Sequence, residues 1–426
     1  MGAYRFFTNP RVSESSILAQ CLNQQNGINH DEELLILSDT SQINLNHLSK
    51  SIEDKSDLGV LNDGLTLGYN LHGCVVLDRN YACKGISSAL TYKRDFPDSE
   101  QSKRIRSTRR DALPMEQKES HRWSVGVRNS TSYLGNASRL NFVFDREGDI
   151  YELLDEINNQ GSTFTVRSQH NRLVKLKDGQ TTKLRTYISN CEIQSSYVIE
   201  VSADERGNKK RLAHLDLKYY KVKIKGPTHY EYETSFSPFM EINLVQVKER
   251  LASKGKKPDN LIEWNILTNK PIENIEQAKK VIEIYSSRWC IEDVFRGMKN
   301  KGLQLDSVTL KTGKALRKIG IMAFDISTVA LKLRQARGGE NHIPIEEVFD
   351  EQQVQCMEQL CEKIQGNTEK QKNPFKSDSL AWAAWVIAKL GGWSGFQSQR
   401  PPGIITMKRG LEKFSTLYLG WSIRLP

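Results

Sequence analysis

The chain has 426 residues, with 61 Lys and Arg against 51 Asp and Glu and a formal charge of +10. Its length allows two or three domains, and its charge favours a polyanionic partner, nucleic acid first. Only 38% of residues are hydrophobic, and no uncharged apolar run approaches the ~18 residues that a membrane span needs, which excludes a membrane protein. Seven cysteines, an odd count without a Cys-x-x-Cys pair, speak against both a zinc site and a disulfide scaffold. With no hydrophobic signal region in Met1–Pro10, the expected address is cytoplasmic.

Residues 31–155 read as α/β. An apolar run at Leu34–Leu37 is followed by extended stretches at Leu65–Leu77, Ala82–Tyr92 and Leu140–Phe144, then by a helical pattern at Ile150, Leu153, Leu154 and Ile157. A polar loop, Pro97–Lys118, interrupts them and carries the basic run Lys103–Arg110, which either follows a phosphate backbone or is simply solvated. From Thr163 to about Trp264 short alternating strands prevail, among them Ser196–Val201 and Tyr219–Lys225. In the second of these, alternation puts Lys221, Lys223 and Lys225 on one face and Val222 and Ile224 on the other, so one side is buried and the other is offered to an anion such as DNA. Pro271–Lys301 predicts one long amphipathic helix with Ile275, Ala278, Ile282 and Tyr285 along one side. Leu380–Leu390 and the series Ile404, Leu411, Phe414, Tyr418 predict a C-terminal α region, serving as core or as a self-association surface.

Two runs resemble each other: Leu34–Leu37 leads to Asp39 and Asn141–Phe144 leads to Asp145. Each is an apolar strand ending in a carboxylate, and continuous apolar runs suit strands covered on both faces. Neighbouring parallel strands would bring both carboxylates to one sheet edge, where a divalent cation relieves their repulsion; the alternative is that each Asp caps its own turn. On the predicted helix, Arg288, Glu292, Arg296 and Lys299 fall within about 60° of Tyr285 at ~100° per residue. That sector suits a metal ligand with phosphate-gripping cations, or equally a solvated face of ordinary ion pairs.

The spacing Tyr285-x2-Arg288-x3-Glu292-x6-Lys299 resembles the Tyr-Arg-Glu-Lys signature of bacterial cut-and-paste DDE transposases of the insertion-sequence-four family, most of all its transposon-five branch. Gly2–Phe6 with Asn9-Pro10, Asp39-Thr40, Asp145-Arg146-Glu147 with Asp149-Ile150, Phe164-x-Val166-Arg167-Ser168 and Leu390-Gly391-Gly392 stand in the same order as family segments. The resemblance implies an α/β fold: a ribonuclease-H-like catalytic core interrupted by a β-rich insertion, with an α-helical C-terminal region. It implies that Asp39, Asp145 and Glu292 form the catalytic triad and hold two Mg2+ or Mn2+ ions. Hard divalent ions prefer carboxylate oxygen, and a pair of them suits in-line phosphoryl displacement. It further implies that Tyr285, Arg288, Lys299 and Arg167 contact DNA, that Trp264 stacks on a base flipped from the duplex, and that Trp289 and Arg296 lie beside the site. The implied partners are double-stranded DNA, as transposon ends and target, and a second copy in a homodimer, with no membrane.

The implied division is 1–30 as a remnant of an N-terminal helical region, 31–160 and 263–335 as the two parts of the core, 161–262 as the insertion and 336–426 as the helical tail. Because the chain starts at a segment internal to the relatives, the expectation includes the loss of their end-recognising N-terminal domain. An active transposase is thus expected beside an alternative, a truncated inhibitor or decayed fragment that dimerises and binds DNA non-specifically. A ribonuclease-H-like nuclease or resolvase without strand transfer is a third reading, which the Tyr-Arg-Glu-Lys series disfavours.

Overall fold

The sequence holds two kinds of strand-forming run, wholly apolar and alternating, and both form strands. The computed structural model describes residues 2–25, 27–29, 31–95, 115–201, 210–228, 236–250, 261–299, 310–340, 342–396 and 399–423. Its first elements are α1 (Gly2–Thr8), α2 (Glu14–Asn23), β1 (Leu34–Asn44), β2 (Gly59–Val60), β3 (Leu67–Leu77), β4 (Cys83–Tyr92), α3 (His121–Leu134), β5 (Leu140–Phe144), α4 (Tyr151–Asn159) and β6 (Thr163–Arg167). There follow β7 (Leu173–Lys175), β8 (Thr181–Lys183), α5 (Leu184–Asn190), β9 (Ser195–Val201), β10 (Arg211–Lys225), β11 (Phe239–Glu249) and β12 (Glu263–Thr268). The chain ends with α6 (Ile275–Ser287), α7 (Trp289–Lys299), α8 (Gly313–Ala336), α9 (Glu351–Ile364), α10 (Leu380–Leu390) and α11 (Ile404–Ser422). The elements form two compact units: residues 1–100 with 289–426, and residues 101–288. Among the described residues no helix is long and apolar enough to cross a membrane.

In the first unit β3 is the central strand, buried at every position. It pairs antiparallel with β1 on one edge and with β4 and β2 on the other. Burial on both sides requires a helical cover, and α8 supplies one. At Gly73 of β3 a Cβ would come within 2.2 Å of the Phe324 ring of α8, so only glycine lets that ring reach the sheet. Phe324 is itself stacked on Phe295 of α7 at 5.5 Å, which ties both helices to one face of the sheet. A fully buried phenyl of this kind is worth about 3–5 kcal/mol against truncation to Ala. Helices α10 and α11 pack on α8 in turn, and α10 is buried at every position from Leu380 to Ala388. Phe414, Tyr418 and Trp421 of α11 stack in a ladder, and Tyr418 and Trp421 reach Gln352 and Gln359 of α9. The apolar series expected at Ile404–Tyr418 is therefore largely occupied within the chain.

In the second unit β5 and β6 run parallel, joined through α4, and β12, β11 and β10 continue the sheet antiparallel. Strands β7 and β9 share the far edge of β10, and β8 pairs with β7. The 15-residue β10 changes its buried face along its length: Ala213, Leu215 and Leu217 are buried in its first half, Val222 and Ile224 in its second. The first set forms a core with Val245, Val247, Ile266 and the α6 residues Ala278, Val281 and Tyr285. On the opposite face Lys218 Nζ donates to the Ile188 carbonyl at 2.8 Å and Tyr220 Oη to the Glu192 carbonyl at 3.0 Å, so α5 and the loop after it cover that side.

The single helix expected over Pro271–Lys301 is two helices. The Arg288 N–H donates to the Tyr285 carbonyl three residues back, at 3.1 Å, and this tightened turn ends α6 before α7 begins. Asp39 also departs from expectation. It is not at a strand end, because β1 continues to Asn44 through ladder pairs with Gly68–His72 of β3.

Candidate functional site

In the first unit the residues from Leu34 to Ser38 are buried, and the strand emerges from double cover at Asp39 and Thr40, both half-buried. The Thr40 N–H donates to Asp39 Oδ1 at 2.7 Å. Thr40 Oγ1 meets His72 Nδ1 across the ladder at 2.9 Å, and this contact fixes the backbone beside the carboxylate. Helix α7 packs on β1 through a stripe of Ile291, Val294, Phe295 and Met298. Glu292 is half-buried on this helix and Lys299 is exposed, two turns apart. Lys299 feels two opposed influences: crowding by protein lowers its pKa, and the charge of Asp39 raises it. The ammonium of Lys299 is thus within electrostatic reach of Asp39. Asp293, adjacent to Glu292, is held by Arg296 and Arg334, each at 2.8 Å. It is a structural carboxylate, and Arg296 is engaged by it rather than standing open. Trp289, by contrast, is 55% exposed.

In the second unit Asp145 follows directly on the fully buried β5, as expected. It caps the short turn Arg146–Gly148, accepting the Glu147 N–H at 2.8 Å. Gly148 is required there, because a Cβ would come within 2.5 Å of Phe144. Asp149, wholly buried, then anchors the turn. It pairs with Arg172 and accepts the Gln169 and His170 N–H groups at 2.7 and 2.9 Å. Since β5 and β6 are parallel with Phe144 opposite Val166, Asp145 and Arg167 leave the sheet at one edge. Arg167 donates to the Glu263 carbonyl at 3.0 Å. Trp264 lies on the neighbouring strand β12 and meets the Tyr285 ring edge-on at 5.2 Å. Tyr285 and Arg288 are buried, only 3% and 8% exposed. Of the expected polar face, Tyr285 and Arg288 lie in the core, Glu292 is half-buried, and Arg296, in its pair with Asp293, and Lys299 are exposed.

One unit therefore carries Asp39, Glu292, Lys299, Trp289 and Arg296, and the other carries Asp145, Arg167, Trp264, Tyr285 and Arg288. Among the described residues no three acidic, His or Cys side chains are gathered closely enough to hold an ion. The Transposase DDE domain family matches residues 75–324, more than half of the chain. The chain belongs to this family. Its mixed α/β architecture, followed by a helical C-terminal region, is that of a ribonuclease-H-like DDE transposase domain. DDE domains in general use divalent metal ions, and transposases bind DNA. The matched span includes Asp145 and Glu292, while Asp39 lies upstream of it.

On this transposase domain the basic strand has the expected alternation. Lys221 and Lys223 are exposed and Val222 and Ile224 buried. Lys221 pairs with Glu241 at 2.8 Å. Lys175, opposite Lys223 in register, does not stand out in the sequence. The two ammonium groups lie 5.2 and 5.8 Å from the ring of Phe239 on β11, so two cations approach one aromatic ring there. The sequence signal for Lys175 is weak, a three-residue strand in a polar stretch. The basic run Lys103–Arg110 lies outside the described residues.

Proposed function

We propose that this transposase is a cut-and-paste enzyme of the insertion-sequence-four type, resembling the transposon-five transposase, and that its triad is Asp39, Asp145 and Glu292. The observation that carries the proposal is the family match across Asp145 and Glu292, joined to the Tyr285, Arg288, Glu292, Lys299 spacing. The donor set fits the metal: three carboxylates, each half-buried, are the oxygen ligands that Mg2+ or Mn2+ prefers. Two such ions, when bound, would supply Lewis-acid activation of a water or 3′-hydroxyl.

The chain's own groups do the remainder. Asp145, fixed as a cap by the Asp149–Arg172 anchor, presents its carboxylate without needing to reorder. Lys299, beside Asp39, balances phosphate charge near the reacting ester and turns to the DNA when the carboxylate is otherwise neutralised. Arg167 contacts the backbone at the same edge as Asp145, and Arg288, with Trp289 next to it, approaches the transposon end. Trp264, braced edge-on by Tyr285, offers a ring for an unstacked base during hairpin formation. Lys221, Lys223 and Lys225 track a phosphate backbone farther out. End nicking, hairpin formation and opening, and strand transfer into target DNA then use one site, in a homodimer that pairs two ends on nucleoid DNA. The 31–160 and 263–335 segments would form the catalytic core in this reading, with 161–262 as the insertion.

The test is Glu292→Ala on pre-cleaved transposon-end duplexes. Mg-dependent nicking and joining are expected to vanish while retention of the duplex on a gel changes less than about threefold. Undiminished joining would remove Glu292 from the site.

A further inference from the structure

The first unit has a cavity that the proposed chemistry does not use. Its volume is about 400 Å³, and it lies between the end of α2, the start of β4, one face of α8 and the turn that leads into α9. Helix α8 lines it with Asp325, Thr328, Val329 and Lys332, positions that share one helical face. Lys332 stands two turns beyond Asp325, about 10 Å along the axis. It is only 7% exposed. Among the described residues no hydrogen bond or ion pair reaches its ammonium. Burial pulls its pKa down, and the charges of Glu347 and Asp325 oppose this from a distance. A buried cation without a contact partner is costly, and the cavity in front of Lys332 is where a partner belongs.

Most other polar groups on the wall are engaged. Glu347 holds Lys84 at 3.1 Å, Thr328 Oγ1 donates to the Asp325 carbonyl at 2.7 Å, and Asp350 and Gln353 cap α9 reciprocally. The Asp325 carboxyl accepts a hydrogen bond from the Cys21 thiol and keeps further acceptor capacity. Gln25 is different: among the described residues both ends of its amide are buried without a partner. Its oxygen lies where a Cβ on Gly85, at φ +136°, would come within 2.2 Å, so the amide is seated over a residue that must be glycine. A plain anion in this cavity would satisfy Lys332 but meet Asp325, Glu346 and Glu347. A plain cation would satisfy the carboxylates but meet Lys332. A molecule with a carboxylate at one end and an ammonium at the other satisfies both, and the Gln25 amide has donors for the first and an acceptor for the second.

We infer that this cavity binds a small amino acid as its zwitterion, with the carboxylate on Lys332 and the ammonium on Asp325. The site needs neither metal nor DNA, so it stands or falls apart from the transposase reading. The test is titration calorimetry of the full chain at about pH 7.5, where Asp325, raised to about 6, is ionised. Glycine, β-alanine, 4-aminobutyrate and 6-aminohexanoate form a length series, with butyrate and butylamine as single-charge controls. Saturable binding is expected for at least one length, about tenfold or more tighter than either control, the factor that one charged contact supplies. Lys332→Met replaces the buried ammonium by an apolar chain of similar length. It is expected to keep or raise the unfolding midpoint and to lose about tenfold or more in amino-acid affinity. Asp325→Asn is expected to lose a similar factor for the amino acid yet bind butyrate more tightly, because the repelling carboxylate is gone.

No saturable heat from any of the four would overturn the site and leave a water-filled cavity. Butyrate bound as tightly as the best amino acid would overturn it in favour of a plain anion hole. Unchanged amino-acid affinity in Lys332→Met would remove the lysine from it. Should that variant fail to fold, Asp325→Asn decides, and an equal change for amino acid and butyrate there would overturn the zwitterion.

Discussion

Strand β3 is buried at all of its positions, whereas β10 buries one face in its first half and the other face in its second. A strand covered on both sides has no flank to offer, so chemistry carried by its sheet must sit where the cover ends. Asp39 is at such a place on β1, where burial gives way to partial exposure. A strand covered on one side at a time offers an open flank at each end. On β10 and its neighbours the open flank of the second half carries the lysines around Phe239, while α5 covers the opposite face of the first half. A doubly covered strand thus leaves polar side chains open only where its cover ends, and a singly covered one leaves them along a whole flank.

The comparison is broken most sharply by the two aspartates. Asp39→Asn and Asp145→Asn are each expected to lower Mg-dependent strand transfer about a thousandfold or more, as loss of a group that acts within a catalytic unit does. If Asp145 only caps its turn, its Asn variant would keep activity in a transfer assay and keep its stability, since Asn caps a turn about as well as Asp. Tyr285 provides the next test, because it belongs to the core of the second unit. Tyr285→Ala is expected to cost about 3–5 kcal/mol in urea unfolding, whereas Tyr285→Phe should keep the fold. Weaker DNA retention by the Phe variant would then isolate the hydroxyl's contribution.

A smaller effect is expected on the open flank. Replacing Lys221, Lys223 and Lys225 by Gln should weaken duplex binding in titrations over a salt series. The log–log salt slope should flatten by about two, at ~0.9 for each phosphate that is no longer neutralised. Lys221 is expected to contribute least, since Glu241 already pairs with it. The smallest effect concerns the doubly covered unit. Burial pushes the Asp325 carboxyl of α8 up to about 6, with Lys332 acting in the opposite direction. Its neutral form is the one the fold prefers, so its contribution is complete below about pH 4, the ordinary carboxylate range, and is lost as pH rises through 6. Asp325→Asn should therefore gain on wild type between pH 4 and pH 7, by on the order of 2 kcal/mol. Denaturation midpoints that stay parallel across that window would contradict it.

Much of the fold was legible because burial leaves a mark on composition. Leu140–Phe144 is apolar at nearly every position and is a strand covered on both faces; Leu380–Leu390 is likewise a helix at its expected bounds. Asp145 was legible as a carboxylate directly after such a run. The extension of β1 past Asp39 was not, because Thr40–Asn44 is held by backbone ladder bonds to β3, to which side-chain polarity gives no clue. The break at Arg288 was hidden for a similar reason. The apolar stripe runs through it unbroken, and only a three-residue backbone bond separates α6 from α7.

What the amino-acid order determined by itself is which residue types stand at which spacings: two aspartates after apolar runs and a Tyr, Arg, Glu, Lys series at helical intervals. Spacing along a chain is local and survives in the linear text. Which of those side chains are buried and which open was decided only by tertiary packing. Tyr285 and Arg288 would share a sector with Arg296 and Lys299 on one continuous helix, yet the first two are buried and the last two exposed. That difference depends on where strands distant in sequence lie against each helix. The same holds for Gln246 and Asn265, two ordinary amides in sequence, which hydrogen-bond to each other only because antiparallel pairing sets them side by side.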